Sequence, residues 1–203
     1  MTAQPLTRRA TMEFRRSTAA QRESGAAWYA DANAVARDQA NEYGVTIETT
    51  SGIIAALSPR LGWGSNVALA ERMLASHGTL DRGGIGRSLS KARRIYAGAE
   101  PLDVLGGPKT RAFYQAILSA GEEGDAVIDR HAWDMLVGKR QSPAPNLGQY
   151  RAAADAMQRA AKILGVSVHE TQATTWLAWR SRFWSASAFA HKPQPMLEGA
   201  QSW

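Results

Sequence analysis

The sequence predicts an all-α protein, and two observations lead to that fold class. Apolar residues recur at steps of three and four along most of the chain, the spacing that places them on one face of a helix. Glycine and proline interrupt these segments at points where a helix has to end. The 203 residues are enough for one compact domain with a sizeable core, and no segment repeats another.

Three parts of the chain are expected. Residues 1–22 are a basic N-terminal arm, which we predict to be mobile and to lead into a helix. Residues 23–188 form the helical domain. Residues 189–203 form a C-terminal tail that we expect to be disordered or loosely docked, since it carries Pro193 and Pro195.

The first helix of the domain is predicted over residues 24–43. Gly44 follows it as a stop signal. The residues that share its helical spacing are Trp28, Tyr29, Ala32, Val35, Ala36, Ala40 and Tyr43.

Residues 45–57 are less clear, because they begin with β-branched residues that favour a strand. Ile53 and Leu57 nevertheless fit a buried helix that Ser58 and Pro59 close. We predict a helix here because the neighbouring segments are helical.

Further helices follow a loop over residues 60–64. Ser65 or Asn66 can cap the next one, and a short basic helix is predicted over residues 88–96. Helices then follow Lys109 and Asp129. Two prolines mark a linker at 142–146, and the last two helices are predicted near 147–164 and 167–184.

The glycine turn, residues 105–108, is the most informative feature of the chain. Gly106 and Gly107 precede Pro108 and Lys109, and Asp129 opens another helix twenty residues after the lysine. Backbone N–H groups in such a turn have few side chains around them, so an anion such as a DNA phosphate can approach closely. An amine and a carboxylate brought together across one helix can attack and stabilise a sugar carbon.

The two groups have complementary chemistry. Lys109 can attack a sugar carbon only as the free amine, and its place in the first turn of a helix disfavours the ammonium form. Desolvation against a nucleotide acts in the same direction. Asp129, as the N-cap of its helix, can support positive charge on the sugar. Taken singly, such a lysine is usually a solvated surface charge and such an aspartate only a cap.

This arrangement resembles the helix-hairpin-helix DNA glycosylases, the superfamily of endonuclease III and 8-oxoguanine glycosylase. Its members carry a Leu-x-Gly-x-Gly hairpin that runs into a Lys-Thr-Ala helix start, and a Val-Asp-Thr-His segment follows one helix later. The corresponding residues here are 105–112 and 127–131. Residues 53–58 look like the buried helix of that family that ends in Leu-Ser. The resemblance covers residues 45–140.

The resemblance implies that Lys109 is the nucleophile and Asp129 the catalytic aspartate, and that His131 matches the histidine of the Asp-x-His signature. A histidine at this position more often supports packing or a cap than acts as a base. The resemblance also implies that the turn and the start of its helix bind DNA, through Gly106, Gly107, Thr110 and Arg111.

The chain departs from the family pattern at two points. Its hairpin is shorter than the Gly-x-Gly form. It also has no cysteine, which excludes the four-cysteine iron–sulfur cluster of some members, together with disulfides and cysteine-bound zinc. Similar short proteins occur in bacteriophages, and some relatives are thought to act in hypermodification of thymine, so the chain fits a divergent phage member.

Three residues upstream of the turn are candidates for contacts with DNA. Trp63 lies between two glycines, where an aromatic ring either wedges into the gap left by an extruded base or plugs the domain. If Trp63 is a wedge, Arg60 and Asn66 can contact phosphate or a base edge. If Trp63 is a plug, they are ordinary polar surface residues.

Two more groups have simpler explanations. A basic patch is expected beside the turn, although a solvated helix face explains such residues equally well. Its members are Arg87, Lys91, Arg93, Arg94 and Arg111. Trp176, Trp179 and Trp184 can form a base-stacking platform, but their mixture with other apolar residues favours a buried helix face. Gln172 on the same helix can face a cleft, with no second feature to select it.

Three functions are left open by the sequence. The first is a DNA glycosylase that extrudes a modified or damaged nucleotide and cleaves its N-glycosidic bond, with or without lyase activity. The second is a phage transferase that modifies a thymine substituent on the same scaffold. The third is a DNA-binding module without catalysis.

Composition agrees with DNA as the partner, since the net charge is +6 and comes mostly from arginine. No segment resembles a signal peptide, and no apolar run approaches the roughly 20 residues that cross a bilayer. We therefore expect a protein of the bacterial or phage-infected cytoplasm without a membrane partner. No cofactor is expected, and the four histidines are scattered, so the sequence gives no support for a histidine metal site.

Overall fold

A computed structural model describes residues 3–183, and this part of the chain is all-α, with no strand. The all-α class expected from the sequence is confirmed. The tail at 189–203 and Trp184 lie outside the described residues. The helices are α1 Ala3–Arg16, α2 Ala19–Tyr43, α3 Ile47–Leu57, α4 Trp63–Ala75, α5 Gly86–Tyr96, α6 Pro101–Val104, α7 Pro108–Leu118, α8 Arg130–Val137, α9 Leu147–Leu164 and α10 Val168–Phe183.

Capping residues mark both ends of α2 and α9, the two longest of the described helices. Thr18 caps α2, and Gly44 ends it in the left-handed conformation at φ 64°. Asn146 caps α9, and Gly165 ends that helix at φ 72°. Both helices agree with the sequence prediction, although α2 begins earlier than expected.

The expectation of a mobile N-terminal arm is wrong for the described residues. α1 buries Leu6, Ala10 and Phe14, which recur every fourth residue, and it packs against α9. Its arginines lie on the exposed face. The segment is therefore an amphipathic helix, whose apolar stripe is hidden when composition alone is considered.

The start of α4 also differs from the sequence prediction. Gly62 is its N-cap and makes no side-chain capping bond, so neither Ser65 nor Asn66 caps this helix. Trp63 is consequently the first residue of a helix and not part of a loop.

Two apolar cores share the domain. The first lies among α2, α3, α4, α5 and α7, with Ile53 fully buried at its centre. The second lies among α1, α8, α9 and α10, around Met135. α10 joins them, since Ala173 belongs to the first core and Trp179 to the second. None of the described helices is long and apolar enough to cross a membrane.

Candidate functional site

A cavity of about 1120 Å³ lies where the two cores meet. One side is formed by α2, the α3–α4 loop, the glycine turn and α7, and the other by the start of α8, residues 141–147 and α10. The sequence gives ten candidates for catalysis and for DNA contacts at the glycine turn, its two helices and the upstream loop, and the cavity brings together all of them except Arg111. The candidates that line it are Arg60, Trp63, Asn66, Gly106, Gly107, Lys109, Thr110, Asp129 and His131.

The side chain of Lys109 is held inside this cavity. Its Nζ donates a hydrogen bond to Oγ of Ser58 over 2.9 Å and lies 5.3 Å from the ring centroid of Phe113. Burial lowers the pKa of Lys109 below the usual lysine value, and the negative charge of Asp129 opposes part of that change. The amine therefore gives up its proton more readily than a surface lysine.

Both carboxylate oxygens of Asp129 accept hydrogen bonds. Oδ1 accepts from the backbone N–H of Ala132 over 2.7 Å, which is the expected N-cap of α8. Oδ2 accepts from the indole Nε1 of Trp176 over 3.0 Å. Two donors from different helices thus fix the position of one carboxylate.

Asp129 is the single acidic residue among the described residues that line the cavity. The cationic lining residues are Arg60, Lys109, Arg130 and Arg180. In the described part of the chain, Lys109 and Asp129 do not form an ion pair with each other. The lysine and the carboxylate therefore face a shared space in which positive charge predominates.

His131 lies on the first turn of α8, beside Trp176. The two rings meet edge to face with their centroids 6.4 Å apart. Burial lowers the pKa of His131, although Asp129 opposes this, so the imidazole is neutral near pH 7. Among the residues that the structure describes, no three histidine or acidic side chains are grouped to hold a metal ion.

Aromatic rings form the wall of the cavity beside Lys109. The centroid of Trp63 lies 5.2 Å from that of Trp28 and 6.4 Å from that of Phe113. Trp63 is therefore packed into the domain. This agrees with a ring that fills space in the domain and not with a ring that is free to enter DNA. A flat ligand can still stack against such a wall.

Two amide side chains in the lining each keep one polar group without a bond to another described residue. Nδ2 of Asn66 donates to the carbonyl oxygen of Ile54 over 3.1 Å, and this carbonyl, which only accepts, fixes the amide so that Oδ1 stays unpaired. Oε1 of Gln172 accepts from the hydroxyl of Tyr29 over 2.8 Å, which leaves its NH₂ group unpaired. Burial raises the pKa of Tyr29, so the phenol keeps the proton that it donates.

The glycine turn is braced from within. Gly107 has φ 85° and ψ 146°, a conformation that favours glycine. Thr110 Oγ1 donates to the carbonyl of Gly106 over 2.7 Å, and Arg111 donates to the carbonyl of Leu102 over 2.6 Å. Arg111 does not line the cavity. No side chain caps the start of α7, so backbone N–H groups there are left for a ligand or water.

Trp176 is a site residue that the sequence prediction placed in a buried helix face. It lines the cavity, and the guanidinium of Arg180 lies 4.4 Å from its ring centroid. Trp179, by contrast, is buried in the second core. Gln172, Trp176 and Arg180 are spaced four apart on one face of α10. This mixture of polar and aromatic residues on one helix face is the sequence feature that indicates a cavity lining.

The basic residues of α5 do not take part in the cavity. Arg87 and Arg94 are exposed, and Nε of Arg93 donates to the carbonyl of Leu80 over 3.0 Å. None of these three residues, nor Lys91, lines the cavity. A solvated helix face describes most of this patch.

The model of DUF7178, described as a family of unknown function, matches residues 1–183, which include every residue of the cavity. No curated protein matches the chain, and no solved structure does.

Proposed function

This chain belongs to the DUF7178 family, and we propose that it acts on DNA as an enzyme of the helix-hairpin-helix glycosylase type. It binds duplex phosphates at the glycine turn, takes a modified or damaged nucleotide into the cavity and cleaves its N-glycosidic bond. The observation that carries this proposal is the placement of Lys109 and Asp129 in one cavity with an aromatic wall.

Lys109 is the nucleophile of the proposed reaction. The free amine at Nζ attacks C1′ of the extruded nucleotide, and the bond between C1′ and the base breaks, with its electron pair leaving on the base. The base takes up a proton as it departs, and Nζ loses one. Opening of the sugar ring then gives a Schiff base between Nζ and C1′. The carboxylate of Asp129 stabilises the positive charge that develops on the sugar.

The rest of the lining suits a nucleotide. The rings of Trp28, Trp63 and Phe113 offer faces on which a base can stack. The four cationic side chains of the lining favour a ligand that carries phosphate. The uncapped start of α7 adds backbone donors for a phosphate of the DNA backbone.

Reductive trapping tests the proposal. Borohydride added during reaction with duplexes that contain a panel of damaged or modified bases is expected to leave a covalent protein–DNA complex. Lys109→Ala is expected to form none. Lys162→Ala, which removes an exposed lysine outside the cavity, is the matched control and is expected to trap normally. Absence of trapping and of base release across the whole panel would contradict the proposal.

A second candidate is a transferase that substitutes a group on a thymine of phage DNA. The size of the cavity favours it, since about 1120 Å³ exceeds the upper end of the ~300–1,000 Å³ range of ordinary small-molecule sites and leaves room for a second reactant. Mass spectrometry of nucleosides from DNA of expressing cells separates the two candidates. A glycosylase leaves abasic sites, whereas a transferase leaves a heavier base.

A further inference from the structure

We propose that Ser58 is a positioning residue for Lys109, which holds Nζ in place while leaving its lone pair free for an electrophile in the cavity. The inference rests on the proposed function for its catalytic meaning. The contact itself is a property of the folded protein and can be tested without DNA.

The hydroxyl of Ser58 sits where α3 ends. Its side chain is buried, with 7% of the residue exposed, and Oγ donates to the carbonyl oxygen of Ala55 over 3.0 Å. The same Oγ accepts the hydrogen bond from Nζ of Lys109 over 2.9 Å. Ser58 therefore joins the C-terminal end of α3 to a side chain from the start of α7.

The direction of these two bonds decides what Ser58 can do. A hydroxyl has one proton, and that of Ser58 is already donated to Ala55. Toward Lys109 it can only accept. A serine that donated to the free amine would occupy the lone pair needed for attack, whereas this one binds an N–H and leaves the lone pair available.

The other neighbours of Nζ cannot replace this contact. The face of Phe113 attracts an ammonium but does not fix the direction of a single N–H. Asp129 is the charged group that acts on Lys109, and the two do not form an ion pair in the described structure. Without Ser58, the four-carbon side chain of Lys109 regains freedom to rotate away from the substrate.

The first test measures the reactivity of Lys109 in the protein without DNA. Pulse labelling with an amine-reactive anhydride across a pH series, read by peptide mass spectrometry, gives the pH midpoint at which Lys109 reacts. Ser58→Ala removes an acceptor that favours the ammonium, so its midpoint is expected at lower pH than in the wild type. Ser58→Cys keeps the size of the side chain with a weak acceptor and is expected to shift in the same direction.

A matched control comes from the same helix. Ser51 is fully buried on α3, and its hydroxyl has no partner among the described residues. Ser51→Ala is expected to leave the labelling midpoint unchanged. Ser58→Thr keeps the hydroxyl and is expected to stay close to the wild type. A midpoint that moves in neither Ser58→Ala nor Ser58→Cys would overturn the proposal.

The second test measures single-turnover trapping at a pH above the labelling midpoint of every variant, so that the amine is free in all of them. Ser58→Ala is expected to trap at least about tenfold more slowly at unchanged DNA affinity, because the amine is no longer held in place, and Ser58→Thr is expected to recover the rate. Equal rates for wild type and Ser58→Ala would overturn a positioning role. If the wild type itself traps nothing, the proposed function fails, while the labelling midpoints still decide whether Ser58 holds Lys109.

Discussion

Trp176 on α10 donates its indole N–H to Oδ2 of Asp129 over 3.0 Å, and this bond ties the start of α8 to a helix 47 residues further along the chain. Asp129 thereby has one donor from its own helix and one from α10. The carboxylate of Asp129, which shares the cavity with Lys109, is therefore held in place by α8 and by α10. Disturbing either donor should affect stability and chemistry together.

Trp176→Phe keeps an aromatic ring but removes the indole N–H. The lost bond to a charged acceptor is expected to reduce the free energy of unfolding by about 1.5–3 kcal/mol. Trapping should slow by about tenfold, equivalent to about 1.4 kcal/mol of transition-state stabilisation. Trp179→Phe is the control, because the buried indole N–H of Trp179 has no partner among the described residues and lies in the second core. Denaturant unfolding and single-turnover trapping measure both effects, and equal trapping rates for the two variants would contradict a role for the indole N–H of Trp176.

Asp129→Asn keeps a good capping residue but offers one acceptor oxygen where two donors arrive. One of those donors must then face an NH₂ group, at a cost of about 1–3 kcal/mol in the free energy of unfolding. Loss of the negative charge should slow trapping by roughly 10²–10³-fold. Asp125→Asn, at an exposed position before the same helix, serves as the control and should behave as the wild type. A trapping rate within twofold of the wild type would leave Asp129 as a cap alone.

The pKa of Lys109 predicts how stability depends on pH. Burial lowers this pKa in the folded protein, so between the lowered value and the usual value near 10.5 the unfolded chain binds more protons. The free energy of unfolding therefore rises with pH through that window. Below the window, burial of the ammonium of Lys109 lowers the free energy of unfolding by a constant amount. Lys109→Met removes the penalty and is expected to be more stable than the wild type at pH 7. Denaturant unfolding at a series of pH values should show the difference shrinking toward pH 10.5, and a constant difference would contradict burial as the cause.

Much of the fold follows from local signals in the sequence. The helix α9 spans Leu147–Leu164, and the sequence predicts a helix near 147–164 because two prolines mark the linker before it. α1 and the start of α4 are exceptions, and in α1 the residues Leu6, Ala10 and Phe14 have the spacing of a buried stripe. The many arginines of α1 suggested a free arm, whereas they lie on the solvent face of the helix.

The candidate site could be predicted only in part. Lys109 and Asp129 follow from a turn and a cap, which are local features. Ser58 binds the side chain of Lys109 from 51 residues away. Trp176 binds the side chain of Asp129 from 47 residues away. Such pairings depend on how helices pack against one another, and no short-range pattern specifies them. The mixed polar and aromatic face of α10 is the only feature of the sequence that points to Trp176 as a cavity residue.

Gly107 should be the position in the turn where a side chain is least tolerated. Its φ of 85° and ψ of 146° disfavour any residue with a Cβ, although no atom would crowd a methyl group there. Gly107→Ala is therefore expected to lose about 1–3 kcal/mol through backbone strain. Gly86→Ala is the matched control, since it is equally open and has no positive φ. Thermal unfolding of both variants checks this, and similar melting temperatures would show that the turn is not constrained in this way.

Identification of the residue that becomes attached to DNA shows whether Lys109 is the nucleophile. After borohydride trapping on a reactive duplex, the complex is digested with protease and nuclease, and the modified peptide is sequenced by mass spectrometry. We expect the sugar remnant on Lys109. Attachment at another amine, or base release with Lys109 unmodified and Lys109→Ala fully active, would contradict a nucleophilic lysine in this cavity.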